Sequence, residues 1–373
     1  MPGIHGHVDP GYEAVAEAFE ANFADGADVG AAVTVYRHGH PVVDLWGGIA
    51  DPATGRPWER DTLQVVYSTT KAATAACALL LVQRGQLDLD APVATYWPEF
   101  AAAGKQDIPV RWLLTHQAGL AALDRPVGRA EALAWKPMID ALAAQRPLWE
   151  PGTRHGYHAL TYGWLVGEVV RRITGRSLGT FFREEIARPF GLDFHIGLPE
   201  DDLHRVARLV QRPPDFSRAA ALDPSRLPEP MREVVAAMID PNSLTRRAYA
   251  CVEPPFDHDD PAEQTAEIPA TNGICTARAL ARFYAALIGE VGNDRILDPE
   301  TLDAATTPQV TGPDLVTWQP FHLGVGLGLP APGAAWHSPT AFGFPGFGGS
   351  LSYADPISSW RSATSSRQVT GSR

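Results

Sequence analysis

The 373-residue chain is predicted to adopt an α/β (α+β) fold, an antiparallel sheet flanked by helices with an inserted, mainly helical domain. Three observations point there. Strand-like runs lie near both ends of the chain, the stretch between them is dominated by helical periodicity, and the length exceeds what one compact core usually needs. The spacing predicts a sheet domain built from 1–78 and 268–356, a helical domain over 79–267 with a long Pro-rich loop, and an irregular tail over 357–373.

Taken in order, Pro10 to Phe23 has apolar residues at helical spacing, with Val15, Ala18, Phe19 and Phe23 on one face. Gly30 to Tyr36 and Pro41 to Trp46 read as strands, joined by the turn His38-Gly39-His40 into a hairpin. A short apolar run, Leu63 to Tyr67, leads into Ser68, and a helix is expected from Ser68 to Arg84, closed by Gly85. Leu160 to Ile173 is the clearest helix of the middle region and stops at Gly175. The stretch 212–261 is rich in Pro, Asp and Glu and is expected to be a long loop. Helical periodicity returns over Thr276 to Ile288. Gly-rich strand candidates follow at His322 to Leu329 and Gly349 to Ala354.

Composition excludes several classes. Hydrophobic residues make up 45% and charged residues 20%, which argues against disorder. A net charge of −12 gives phosphate no basic face to bind, so nucleic acid is not an expected partner. Cys77, Cys251 and Cys275 are scattered and odd in number, which fits a reducing compartment better than a disulfide scaffold or a zinc site. Met1 to Asp9 lacks the basic and apolar regions of a signal peptide, and the apolar run Ala72 to Val82 is too short to span a bilayer. The expectation is a soluble, cytoplasmic protein with no membrane partner, no cofactor and no metal.

The chemical signal is Tyr67-Ser68-Thr69-Thr70-Lys71, a Ser-x-x-Lys at a strand-to-helix junction. Residues three apart share a helix face, so the Lys71 amine can reach the Ser68 hydroxyl. A serine needs a base to become a nucleophile, and a lysine serves when burial and the helix N-terminus lower its pKa. Without that context the same residues describe only a serine capping a helix. Three further segments supply context: Leu113-Leu114-Thr115-His116-Gln117-Ala118-Gly119-Leu120, Glu150-Pro151-Gly152-Thr153-Arg154-His155-Gly156-Tyr157-His158-Ala159, and Phe342-Gly343-Phe344-Pro345-Gly346-Phe347-Gly348-Gly349.

With these segments the chain resembles the serine β-lactamase-like family, which spans class C β-lactamases, D-alanyl-D-alanine peptidases and family VIII carboxylesterases. The resemblance runs from about Pro10 to Pro356 and implies a β-lactamase/transpeptidase-like fold. It implies Ser68 as nucleophile, Lys71 and Tyr157 as its proton-handling partners, and an acyl-enzyme intermediate. The segment Phe344, Gly346, Phe347 and Gly348, with His158, is expected to border the substrate, and the Ser68 and Phe347 N–H groups to form an oxyanion hole. The dialect Tyr157-His158-Ala159 looks more like the esterase branch than a true β-lactamase.

The chain departs from that family in three places. Ala159 replaces the asparagine whose amide contacts the side chain of β-lactam antibiotics. Phe344 stands where the family keeps Lys or His, and a phenyl ring cannot bind a carboxylate. Both changes favour an uncharged ester over a penicillin, so weak β-lactam turnover is expected. Third, Ile357 to Arg373 carries only Ile357, Trp360 and Val369 as large apolar residues, where relatives continue with a strand and a long helix. A truncation or frame shift would produce such an end, leaving it poorly ordered and the sheet to be covered by forming a homo-oligomer.

The expected partner is a small-molecule ester. An acyltransferase using the same acyl-enzyme, a β-lactamase or D-alanyl peptidase, and an inactive binding protein on the same scaffold are the alternatives. Other signals are read as structural. Gly324-Val325-Gly326-Leu327-Gly328 lacks the spacing of a nucleotide loop. Ser350 falls short of a Gly-x-Ser-x-Gly elbow. His116 is an interior hydrogen-bonded histidine, His5, His7, His38 and His40 are solvated, and His258 sits in a surface acidic patch.

Overall fold

A computed structural model describes residues 3–24, 28–210, 229–332, 338–357 and 361–369. Strand β1 (Ile4–Val8) and helix α1 (Glu13–Ala24) open the chain. The hairpin follows as β2 (Asp28–Arg37) and β3 (His40–Asp51), paired antiparallel. His38 and Gly39 both have positive φ, 50° and 79°. Two such residues give the tight turn whose twist matches that of paired strands.

Helix α2 (Thr70–Gln83) is buried on every side through Leu81. That explains why its apolar residues run continuously without a polar stripe. It begins two residues later than expected, which leaves the Ser68 side chain free of any capping duty, and Gly85 follows with φ 66°. Helix α3 (Thr161–Thr174) ends at left-handed Gly175, and α4 (Ala277–Ile288) is capped by Thr276, whose hydroxyl accepts the Ala279 N–H. α4 packs across β2, while α2 and α3 pack on each other within the main apolar core.

The carboxy-terminal third supplies β4 (His322–Leu323), β5 (Gly328–Leu329), β6 (Phe342–Pro345), β7 (Leu351–Ala354) and β8 (Arg361–Val369). The sheet order is β1-β3-β2-β8-β7-β6-β5-β4, with Arg56–Pro57 added on β3. Both ends of the chain therefore build one sheet. A separate three-stranded sheet pairs Gln64–Val65 and Phe194–Ile196 with Gly273–Cys275. It sets the segment before Ser68 beside the one before α4.

Several expectations change. His322 to Leu329 is not one strand but a narrow hairpin, because the Gly324 N–H closes on Leu327 O (2.9 Å) and Gly326 has φ 75°. A Cβ on Gly326 would stand 2.5 Å from the Ala75 Cβ of α2, so close packing demands glycine there. The expected long loop over 212–261 contains helices Glu229–Ile239 and Leu244–Tyr249, while 212–228 lies outside the described residues. Among the described residues no helix is long and apolar enough to cross a membrane. Cys77, Cys251 and Cys275 are buried and unpaired with one another.

The tail differs most. Instead of irregular chain, residues 361–369 form β8, with Arg361 opposite Tyr36 and Val369 opposite Asp28 on one side. On the other side Tyr353 faces Ala363 and Leu351 faces Ser365. The pairing uses backbone N–H and C=O groups, which a polar sequence such as Arg361-Ser362-Ala363-Thr364-Ser365-Ser366 supplies as well as an apolar one. The gap that self-association is expected to cover is thus filled by β8, and the rest of the tail lies outside the described residues. Deleting 360–373 would open two unpaired edges in the middle of the sheet. The deletion is expected to lower the melting temperature by more than about 10 °C, or to leave the chain aggregated, as measured by thermal unfolding and gel filtration.

Candidate active site

Ser68 sits on a turn that its neighbours hold from several directions. Tyr67 has φ 46°, an uncommon conformation for a residue with a side chain, and forms a bridge to Asn272. The Thr70 hydroxyl donates to Tyr67 O and accepts the Gly273 N–H at 2.8 Å. The Thr69 hydroxyl donates to Phe344 O at 3.1 Å, and the Ser350 hydroxyl donates to Val66 O at 2.8 Å. Ser350 is therefore a strut. β6 approaches this turn so closely that a Cβ on Gly346 would meet Val66 O at 2.2 Å and the Ser350 Oγ at 2.1 Å.

Two side chains converge on Ser68. Lys71 Nζ lies 3.1 Å from Ser68 Oγ, and the Tyr157 hydroxyl donates to the same oxygen at 2.6 Å. Nζ also stands 2.9 Å from Ala159 O and 3.0 Å from Ala270 O. Lys71 is fully buried, and among the described residues no carboxylate pairs with it. Desolvation therefore holds its pKa well below the usual lysine value, and burial pushes the Tyr157 phenol well above its own. Burial thus favours the neutral form of each group. A neutral amine has two N–H bonds and one lone pair. The two carbonyls accept the N–H groups, and the lone pair is left for the Ser68 hydroxyl, whose oxygen takes the Tyr157 proton as acceptor. In that form the serine proton is directed at the Lys71 nitrogen.

Tyr157 is positioned by two neutral imidazoles. His116 Nδ1 accepts the His158 N–H at 3.1 Å. His158 Nε2 accepts the Leu120 N–H at 3.0 Å, and its Nδ1–H donates to Gly156 O at 2.7 Å. Burial holds the His116 pKa well below its ordinary value and pushes His158 down to about 4. The expectation that His158 borders the substrate is corrected here: it is fully buried and both ring nitrogens are committed to the backbone. Gly348, partly exposed, is likewise not part of the cavity wall, whereas Phe344, Gly346 and Phe347 are.

The cavity over Ser68 and Tyr157 has a volume of about 450 Å³, and Tyr249, Phe256, Phe321, Phe344 and Phe347 give it mainly apolar walls. Phe344 is 2% exposed, stacked on Tyr157 at 6.3 Å and 5.9 Å from Lys71 Nζ. It seals the amine from water. A second correction concerns His258. It is not on the surface: it is 4% exposed and lines this cavity, edge-on to Tyr67 at 5.0 Å. Its acidic sequence neighbours suggested solvent, and no periodicity in 255–261 signals otherwise. A separate cavity of about 490 Å³ at Trp135 contains none of these groups, and Arg171 and Arg172 on its wall are already paired with buried Glu168.

Comparison with known proteins places this geometry. The Beta-lactamase family model matches residues 15–368. Esterase/beta-lactamase LipL of Mycobacterium tuberculosis (strain ATCC 25618 / H37Rv) is 37% identical over 365 residues, covering 95% of this chain and 80% of that protein. A crystal structure of a family VIII carboxylesterase superposes with TM-score 0.86 at 36% identity, covering 100% of this chain and 95% of that one. A penicillin-binding protein homologue from Caulobacter crescentus superposes with TM-score 0.83 at 37% identity, covering 98% and 94%.

A base that must be neutral acts only above its own pKa, so kcat/KM should rise with pH as Lys71 loses its proton. Because burial lowers that pKa, the rise should be complete well below 10.5, the ordinary lysine value. A pH–rate profile on a p-nitrophenyl ester checks this. Lys71→Arg, which stays charged, should lose about a hundredfold or more in kcat/KM.

Proposed function

The chain belongs to the Beta-lactamase family, and from that premise we propose that it works as a serine carboxylesterase through an acyl-enzyme on Ser68. The observation that carries this is the contact of one hydroxyl, Ser68 Oγ, with both Lys71 Nζ and the Tyr157 O–H on the wall of an apolar cavity. In the first step the Ser68 oxygen attacks the ester carbonyl while its proton passes to the Lys71 lone pair. The Ser68 and Phe347 N–H groups hold the oxyanion. Tyr157 gives its proton to the departing alkoxide and regains one from the Lys71 ammonium. Water then enters, gives up a proton by the same route in reverse, and releases the acid as Ser68 recovers its hydrogen.

An ester fits this site better than a β-lactam. Phe344 gives no charge to a carboxylate at the place where the resemblance expects Lys or His, and Ala159 offers only its carbonyl, already used by Lys71. The acyl acceptor is water in this reading, and the compartment is the cytoplasm, in keeping with three free, buried thiols.

Ser68→Ala is expected to abolish turnover of short-chain p-nitrophenyl esters and to abolish labelling by a fluorophosphonate, read by intact mass. Labelling that persists in this variant places the nucleophile elsewhere. Tyr157→Phe should fold normally and lose about a hundredfold or more in the acylation rate, measured by stopped flow, as expected for removal of a proton-transfer group.

A further inference from the structure

One polar group in the apolar wall has no part in the chemistry above. We propose that His258, backed by Glu263, accepts a hydrogen bond from a hydroxyl carried on the acyl chain, which makes hydroxyacyl esters the preferred substrates over plain alkanoates. The proposal rests on the esterase reading and refines it.

The imidazole is held on both faces of its environment. Its edge meets Tyr67 at 5.0 Å, and it stacks on Phe256 at 5.9 Å. Its Nδ1 stands 3.5 Å from Glu263 Oε2, and neither atom has a hydrogen-bond partner among the described residues. Glu263 is fully buried, and its other oxygen is fixed by the Arg129 guanidinium at 3.2 Å and the Asp257 N–H at 2.9 Å. A carboxylate placed opposite Nδ1 favours the tautomer that carries its proton on that nitrogen. That tautomer leaves a lone pair on Nε2, which has no hydrogen-bond partner among the described residues, on a residue that lines the substrate cavity. An acceptor on this wall loses its water when an alkyl chain fills the cavity, a cost that a hydroxyl-bearing substrate avoids.

The acyl side follows from the proton route. Tyr157 protonates the leaving group, and its ring neighbours are His116, Phe321 and Phe344. The wall of Tyr67, His258 and Phe256 contains none of these, so it faces the other half of the ester. Nor does the reaction need His258 as a base, because Lys71 and Tyr157 already contact Ser68.

The test compares kcat/KM for p-nitrophenyl butyrate and hexanoate with esters bearing a hydroxyl at carbon 2, carbon 3 or the chain end, keeping p-nitrophenol as leaving group. The wild-type enzyme should favour at least one hydroxyl position by about tenfold over the matching alkanoate. His258→Phe should bring that ratio to one or below, and His258→Gln, which keeps an acceptor, should retain part of it, with melting curves confirming that both are folded. Wild-type ratios of one or less at every position overturn the proposal even if neither variant folds, and so does a preference that survives in His258→Phe. In both cases the esterase reading stands on the alkanoate turnover of the wild type. A wild type that hydrolyses none of the esters and takes no fluorophosphonate removes the esterase reading, and this proposal with it.

Discussion

The site depends on a lysine buried with no counter-charge among the described residues. Two lysines of this chain are fully enclosed, and they differ in one of the three groups around each amine. Lys105 Nζ is surrounded by three carbonyls, Ala102 O, Ala143 O and Gln145 O, at 2.9, 2.8 and 2.6 Å. Three acceptors match the three N–H bonds of an ammonium, so Lys105 ties its loops together as a cation, although burial pulls its pKa down to about 8. Lys71 has two carbonyls and a hydroxyl. A hydroxyl, unlike a third carbonyl, can also turn its own proton toward the amine, so this set accommodates the neutral form that the proposed mechanism uses. A carboxylate beside Lys71 would raise its pKa and remove the lone pair.

Keeping such an amine dry requires several distant segments to close around it. Ala159 comes from the loop before α3, Ala270 from the segment before α4, and Phe344 from β6. Side-chain hydroxyls lock these segments to the turn at Ser68: Thr69 reaches Phe344 O, Ser350 reaches Val66 O, and Thr70 takes the Gly273 N–H. These threonines and the serine look like ordinary surface residues in the sequence, yet all are buried and bonded. They carry the positional accuracy on which a contact of 2.6 Å between Tyr157 and Ser68 depends.

Much of the fold was legible because its signals are local. The β2–β3 hairpin announced itself through His38-Gly39, α3 through its periodicity and Gly175, and α4 through Thr276. The meeting of Ser68 with Lys71 and Tyr157 was legible from Ser-x-x-Lys and the Pro-Gly-Thr segment ahead of Tyr157. What escaped has a common cause. β8 is held by backbone groups on both sides and needs no apolar alternation, so its sequence reads as tail. His158 and His258 exchanged roles. The one beside Tyr157 in sequence is consumed by Gly156 and Leu120, and the one within Asp257 to Asp260 turns into the cavity.

By itself, then, the sequence determined the β2–β3 hairpin and helices α2 to α4, the residue types that meet at Ser68, and the absence of a charge at Phe344. These follow from residue type, short spacing and the stereochemistry of turns. Tertiary structure alone decided the direction in which burial moves the Lys71 and Tyr157 pKa values, which of two histidines lines the cavity, and whether a polar tail becomes a strand. Each of those depends on what surrounds a group in space: desolvation sets a pKa, and an open strand edge finds its partner by backbone geometry. Neither quantity is a property of neighbouring residues along the chain.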